Sequence, residues 1–535
     1  MKKTALTIIF YISFYVLIFA QNTPFSIKLE PFSIEGLVGV QSYAFGQAEG
    51  KWLIVGGRLD GLHKRQPFAA FDVAGHNNQL IVIDPISKQK WTAPLTSLSK
   101  EIQDQLSSTN MEFYQQDSML YFVGGYGYSN TALDHVTYPN LTAINVPIVI
   151  NAVINGSAFN TNIKQITDSK FAVTGGRLEK IYNTFYLVGG QKFDGRYNPM
   201  NNPTFTQTYT CQIRKFTINK TGNSLIVNHF PAITDTANLH RRDYNVLPQI
   251  MPNGQEGLTA FSGVFQTKAD IPYLNCVDID SNGYEVNNSF SQYYNHYHCA
   301  NFHLYSAKLN EMHNVFFGGI AQYYDNLGVL VQDNNSPFVK TIARVTRNVN
   351  GLMTEYKLPI EMPTLLGAGS ELIPIENLPS YSNKVLKFDD ILTDTTLIGY
   401  IFGGINSTAP NIFNINSGIQ SSANSQIFKV LLIKNNIVGF DKINNQSNKS
   451  LQMQVYPNPN KGMFTVKFNL KQKSTVKIKI YDLNGKEVRN EVKSNFLIGE
   501  NIQSYQLNEQ SNISNYIITI ETDYESATQK VIINP

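Results

Sequence analysis

The sequence predicts an all-β protein, a six-bladed β-propeller followed by a small β-sandwich. Three observations carry this expectation. One short motif recurs six times: WLIVGG (Trp52–Gly57), LYFVGG (Leu120–Gly125), FYLVGG (Phe185–Gly190), LTAFSG (Leu258–Gly263), NVFFGG (Asn314–Gly319) and GYIFGG (Gly399–Gly404). Self-similarity at such spacing marks an array of like units. Most copies are followed by two more β-rich runs joined by turn residues, as in Leu80–Trp91, Arg214–Val227, Val277–Val286 and Ala343–Leu358. Beyond residue 450 the pattern changes to a lysine/apolar alternation, as in Val476–Leu483, which is the pattern of a half-buried strand.

Each copy is a continuous apolar run, so the strand it encodes is expected to be buried on both faces. The glycines that end it suit a tight turn or a close backbone approach, where a Cβ would clash. A strand-like run precedes several copies (Val40–Phe45, Phe302–Ala307), which makes four strands per repeat. Phe25–Phe32 is a lone strand before the first copy, and the last repeat, ending at Gln426–Lys434, lacks a fourth. The N-terminal strand is therefore expected to complete the last sheet and remove an exposed edge. A β-helix or two β-sandwiches would use the same runs.

A strand ending in Gly-Gly, followed by an Asp-containing hairpin and in the first repeat a Trp (Asp84, Trp91), resembles the kelch repeat across roughly residues 21–436. The resemblance implies the propeller. The pattern is degenerate: only the first repeat keeps the Trp, and the fourth has Ser-Gly.

Aromatic residues make up 12% of the chain and charged residues 16%, with a formal net charge of +3, as expected of packed sheets. The thin spread of charge, without a basic stripe, argues against a nucleic-acid partner. Met1–Ala20 has two lysines before an apolar run and a small residue before Gln21, the pattern of a secretory signal peptide. No other segment is apolar enough to span a membrane. Three cysteines, Cys211, Cys276 and Cys299, leave one unpaired at least, and their connectivity stays open. Residues 437–450 are polar and read as a linker.

The tail, residues 451–535, carries YPNPNKGMFTVKF (Tyr456–Phe468), IYDLNGKEV (Ile480–Val488), NYIITIET (Asn515–Thr522) and KVIINP. It resembles the C-terminal sorting domain of type IX secretion. Tyr456, Pro457, Asn458, Pro459, Gly462, Phe464, Tyr481, Asp482, Gly485 and Lys530 carry the likeness, while Ser514 stands where a Gly is usual. The resemblance implies a Bacteroidota-type bacterium, the type IX machinery as a partner, and a protein released or held at the outer cell surface by way of the periplasm.

In Tyr293–His303 (YYNHYHCANFH), an extended chain would put His296 and His298 on one face and Cys299 and His303 on the other. No metal site is expected there, and no cofactor elsewhere. Leu239–Tyr244 (LHRRDY) aligns with Tyr297–Phe302 (YHCANF), both leading into the innermost strand of a repeat. His240, Arg241, Arg242, Asp243, His298 and Asn301 are thus expected at the channel mouth, where an arginine pair would suit a carboxylate or sulfate. Asp278–Glu285 resembles a calcium loop, but its twelfth position is Ser289, so it reads as a hairpin turn. No nucleophile elbow, phosphate loop or telling carboxylate pair is present. The expected function is recognition of a glycan or protein partner. Sialic-acid mutarotase/epimerases, six-bladed kelch-like propellers with Arg and His near the channel, supply the enzymatic alternative.

Overall fold

In the computed structural model, the residues described are 23–200, 204–221, 224–435, 451–482, 486–494, 496–507 and 514–533. The signal-peptide reading of Met1–Ala20, the linker at 437–450 and Gly485 lie outside them. The chain divides into two compact units, Phe25–Lys434 and a unit containing the tail.

In Phe25–Lys434 every motif copy forms the second of four antiparallel strands in a sheet, at Lys51–Val55, Met119–Val123, Thr184–Val188, Glu256–Phe261, Glu311–Ile320 and Thr395–Gly403, with Leu386–Lys387 added in parallel to the first strand of the fifth. Each of these six sheets, numbered one to six in chain order, has at least four strands. In sheets one to five the four strands follow one another in sequence. In sheet six Phe25–Phe32 pairs antiparallel with Ile427–Lys434, so the first described strand lies beside the last strand of this unit.

The continuous apolar runs have a direct explanation. Side chains alternate across a strand, and both faces of each sheet meet a neighbour. Leu53 and Val55 pack with Leu120 and Phe122 of sheet two, whereas Trp52 and Ile54 pack with Tyr400 and Phe402 of sheet six. The same division recurs between sheets two and three (Tyr121, Val123 with Phe185, Leu187), three and four (Tyr186, Val188 with Leu258, Ala260), four and five (Phe261 with Phe316) and five and six (Val315, Phe317 with Ile401).

The two residues that end each copy of the motif both have positive φ, from 63° and 82° at Gly56 and Gly57 to 72° and 90° at Gly403 and Gly404. Ser262 takes the first of these positions in sheet four at φ 51°, its hydroxyl donating to the Tyr273 carbonyl at 2.7 Å. In this turn the second glycine N–H points at the segment leading into the next sheet. Gly57 donates to Ser108 O (2.8 Å), Gly125 to Val173 O (2.9 Å), Gly190 to Arg241 O (2.7 Å), Gly263 to His296 O (3.3 Å) and Gly404 to Val40 O (2.9 Å). The last of these joins sheet six to sheet one.

Two residues beyond those carbonyls, a second set of backbone bonds runs in a closed cycle. Ser42 N–H donates to Gly369 O (2.8 Å), Gly369 to His298 O (3.0 Å), His298 to Asp243 O (2.8 Å), Asp243 to Gly175 O (2.6 Å), Gly175 to Asn110 O (3.4 Å) and Asn110 to Ser42 O (3.0 Å).

Several elements were not expected. Tyr126–Ser129, Asp134–Thr137, Gln191–Gly195 and Phe205–Tyr209, excursions from sheets two and three, form a further four-stranded sheet of their own. A helix, Val146–Asn155, follows the third strand of sheet two, with Gly156 (φ 65°) as its C-cap. All three cysteines are buried and free. The calcium-loop lookalike is a turn: Asp280 Oδ1 accepts from Asn282 and Gly283 N–H, and Asp278 pairs with Arg347. In the tail, Gln454–Tyr456, Met463–Leu470 and Gly499–Gln506 form one sheet, and Val476–Asp482, Glu487–Lys493, Ser514–Glu521 and Ser526–Ile533 a second. Phe464, Val466, Ile478, Ile518 and Val531 are buried in one shared core. Asn458 ties its loop to the last strand, donating to Lys530 O (2.7 Å) and accepting from Ile532 N–H (2.8 Å).

The glycine turns generate a prediction. A Cβ on Gly124 (φ 66°) would lie 1.8 Å from Val173 O, whereas one on Gly50 (φ 73°) meets nothing within 4 Å. Gly50→Ala is expected to cost about 1 kcal/mol, the left-handed penalty alone, and Gly124→Ala roughly 3 kcal/mol or more, because sheet three must also shift. Urea unfolding midpoints of the two variants would check this.

Candidate functional site

The closed cycle forms the floor of a cavity of about 260 Å³ on the side of the glycine turns. Its walls come from the excursions after the second strands, with Phe71, Tyr126, Phe193 and Tyr197 as the main aromatic faces. These rings brace one another: Phe71 stands edge-on to Tyr126 (5.2 Å) and Tyr197 (5.8 Å), and Tyr126 Oη donates to Gly195 O and accepts from Tyr197 N–H, both at 2.8 Å. Burial pushes the hydroxyls of Tyr126 and Tyr197 above the usual phenol range, so both remain neutral donors.

Two guanidiniums reach this cavity, and each already has a carboxylate. Arg58, 1% exposed, binds Asp60 through two parallel bonds of 2.7 Å and donates to Asp72 O at 3.0 Å. Arg242 pairs with Asp243, donates to Tyr209 Oη at 3.0 Å and lies 5.1 Å over the Phe265 ring. Below the floor the first strands bring in more charge. His298 Nε2 sits 3.0 Å from Arg177 Nη1 and 2.8 Å from Glu371 Oε1. Burial works to raise the Glu371 pKa, but the His298 and Arg177 charges outweigh it and hold the carboxyl below its usual value. Glu112, buried and accepting from Gly176 N–H at 2.8 Å, is instead pushed well up by burial.

The structure separates the six residues expected at the channel mouth. Arg242, Asp243 and His298 line the cavity. His240 stands behind it, stacked on Tyr209 at 3.6 Å with Nδ1 2.7 Å from Phe265 O. Arg241 is fully buried, donating to the Asn238, Ser262 and Asn275 carbonyls and to Asn275 Oδ1. Asn301 lines a different cavity, beyond the floor. The alignment behind the expectation also needs correction. Gly190 bonds Arg241 O and Gly263 bonds His296 O, so Asp243 corresponds to His298, a slip of three residues from pairing His240 with His298. The extended lead-in has no periodicity of its own, and the glycine bond alone sets its register. Arg58, Arg177 and Glu371 were missed; the only sequence signal for them was their distance from the repeated glycines.

His296 is a fully satisfied core histidine. Its Nδ1 accepts from Gln322 N–H (2.9 Å) and its Nε2 donates to Gln292 O (2.8 Å), which fixes the neutral tautomer. Among the described residues no three His, Cys, Asp or Glu side chains gather as metal ligands. Burial lowers the His296 pKa from 6.5 to about 4. The unfolded chain therefore binds this proton more readily. The stability tied to the neutral ring is present above pH 6.5 and lost as pH falls toward 4. His296→Gln is expected to flatten the unfolding free energy against pH in that window by up to roughly 3 kcal/mol, read by urea titrations at stepped pH.

No curated protein matches the chain. The solved structures similar to this chain at low identity include two described as follows. One is described as the structure of YjhT, with 10% identity and a TM-score of 0.39, covering 75% of this chain and 98% of that one. The other is an exo-1,5-α-L-arabinanase from a bovine ruminal metagenomic library, with 8% identity and a TM-score of 0.24, covering 75% of this chain and 95% of that one. No helix among the described residues is long and apolar enough to cross a membrane. Residues 454–534 match the secretion system C-terminal sorting domain, and that tail marks the chain for secretion or display at the cell surface.

Proposed function

We propose that Phe25–Lys434 is a closed, six-bladed kelch-like propeller, exported by the type IX route, that binds a neutral glycan in the aromatic cavity above its floor. The observation that carries the choice of ligand is the pairing of both cavity guanidiniums, Arg58 with Asp60 and Arg242 with Asp243. An acidic sugar would have to break one of these pairs and leave a carboxylate without a partner, a costly exchange in a partly buried site. A neutral sugar ring needs only aromatic faces and fixed donors and acceptors, which Phe71, Tyr197 and the ion pairs supply, with Tyr126 packed behind them. The closed cycle of six backbone hydrogen bonds supports the blade number.

The test is a glycan array with the whole protein. Neutral glycans are expected to bind, with little change between about 0.1 M and about 1 M salt. Tyr197→Ala is expected to weaken binding roughly tenfold through loss of a stacking face. A preference for sialylated or sulfated glycans, or strong salt dependence, would sink the reading. The enzymatic alternative, a mutarotase/epimerase, draws on His298 between Arg177 and Glu371. It requires NMR anomer exchange of a bound sugar to be accelerated by the protein and not by His298→Ala.

The tail reading has its own test. Removal of residues 451–535 is expected to leave the signal-cleaved protein in the periplasm, while the full chain reaches the surface or medium. Equal export of both forms in cell fractionation would remove the sorting role.

A further inference from the structure

A second cavity, about 370 Å³, lies beyond the floor, further along the first strands. Phe45, Phe113, Tyr114 and Phe302 give it aromatic walls, and a strap from sheet six, around Leu378–Leu386, contributes to its lining. The strap is anchored across the channel. Asn383 Nδ2 donates to Gln249 O of sheet four (3.0 Å), and Lys384 Nζ donates to Gln115 O of sheet two (2.7 Å). Lys384 holds φ 68°, a conformation rare for a side-chain-bearing residue, and its ammonium sits 3.9 Å over the Tyr114 ring. This wall thus already seats one ammonium, and that ammonium belongs to the chain itself.

Beside it stands an acceptor with nothing to accept from. Glu179, on the first strand of sheet three, lines the cavity and has neither a hydrogen-bond nor an ion-pair partner among the described residues. The other lining carboxylates differ: Glu371 is held by Arg177 and His298, Glu376 accepts from Gly50 N–H at 2.6 Å, and Asp117 is exposed. His303, also lining the cavity, has a buried Nδ1 without a partner. Burial and the Lys384 charge push its pKa down to about 4, so the ring is neutral at pH 7.

We infer that this second cavity is a binding site for a small organic ammonium, received by Glu179 against the aromatic wall and held in check by the strap residue Lys384. The ligand would complete the partnerless carboxylate; Lys384 repels it and competes for the Tyr114 face. Site and strap make opposite demands on variants, which lets each be tested against the other.

The pH dependence has a definite sign. The charged groups facing Glu179 are Arg177 on its own strand, Lys384 on the strap and Glu371 from sheet six. Burial outweighs the two cations and raises the Glu179 pKa above the usual carboxylate value. A cation binds the ionised form, so affinity is expected to rise with pH across the titration of Glu179, and binding within that range releases protons.

The experiment is isothermal titration of the full-length protein with cyclohexylammonium, and with cyclohexanol as its uncharged counterpart, in two buffers of different ionisation heat. Lys384→Met is expected to bind cyclohexylammonium roughly fivefold or more tighter than the native protein, since a nearby like charge is removed. Glu179→Gln and the double variant are expected to lose at least about tenfold, the loss of one charge-assisted contact. Binding carried by Lys384→Met alone, but dependent on Glu179, supports the same site. Four results overturn it: no binding by either the native protein or a folded Lys384→Met, affinity indifferent to Glu179, cyclohexanol binding as well as the ammonium, or no proton release. The probe carries no sugar hydroxyls, so failure of the glycan reading leaves this test untouched.

Discussion

Five of the six sheets of Phe25–Lys434 are joined to the next by one repeated hydrogen bond: a glycine N–H at the end of the motif, donated to a carbonyl in the lead-in to the next sheet. The donor is the second of two turn positions with left-handed φ, a conformation that a Cβ-bearing residue resists. The bond does three jobs at once. It ends the strand, sets the spacing between neighbouring sheets, and fixes which residue of the next lead-in faces the centre. The apolar strand packing is strong but slides easily, because one Leu–Phe contact resembles another. A directional bond between backbone groups removes that freedom.

The floor follows from the same bond. With each lead-in fixed, the residues two positions on, Ser42, Asn110, Gly175, Asp243, His298 and Gly369, fall in reach of one another and close their own cycle. That cycle satisfies backbone groups at the most crowded point of the unit, where two of the six positions are glycine. It also divides the channel. On one side the long excursions add aromatic walls; on the other the diverging first strands leave a charged space under the strap. Arg177, Glu371 and Glu112 each sit two residues beyond a member of the cycle, at the start of their strands, where Arg177 meets Glu371 and Glu112 accepts from Gly176 N–H.

Much of this was legible in the sequence, and the legible part shares a property: it is local. Two-sided burial writes itself as an unbroken apolar run, and left-handed φ writes itself as Gly-Gly. The N-terminal strand could be matched to the incomplete last sheet by counting. What stayed hidden depends on separate parts of the chain. Tyr126–Ser129 and Gln191–Gly195 are short, and pairing within one added sheet gives them stability that neither segment has alone. Arg177, His298 and Glu371 belong to three different sheets, and no spacing announces that they meet. LHRRDY and YHCANF resemble each other in side chains at an offset three residues from the one that the glycine bonds to Arg241 O and His296 O impose.

The fate of two neighbours, Arg241 and Arg242, shows what that register does to chemistry. Adjacent arginines look like a clamp for an anion. In an extended lead-in, however, successive side chains point opposite ways. The turn glycine Gly190 fixes Arg241 O toward sheet three, and the Arg241 side chain is then committed to the protein interior, where it satisfies three carbonyls and lies 4.1 Å over Tyr273. It holds its own sheet together and is lost to any ligand. Arg242 faces the cavity, but Asp243, the next residue and a member of the floor, is close enough to take its charge. One arginine becomes structure and the other a neutral ion pair. The cavity is therefore walled by dipoles and rings, with both of its guanidiniums paired, and that pairing follows from a register set by a glycine in the preceding sheet.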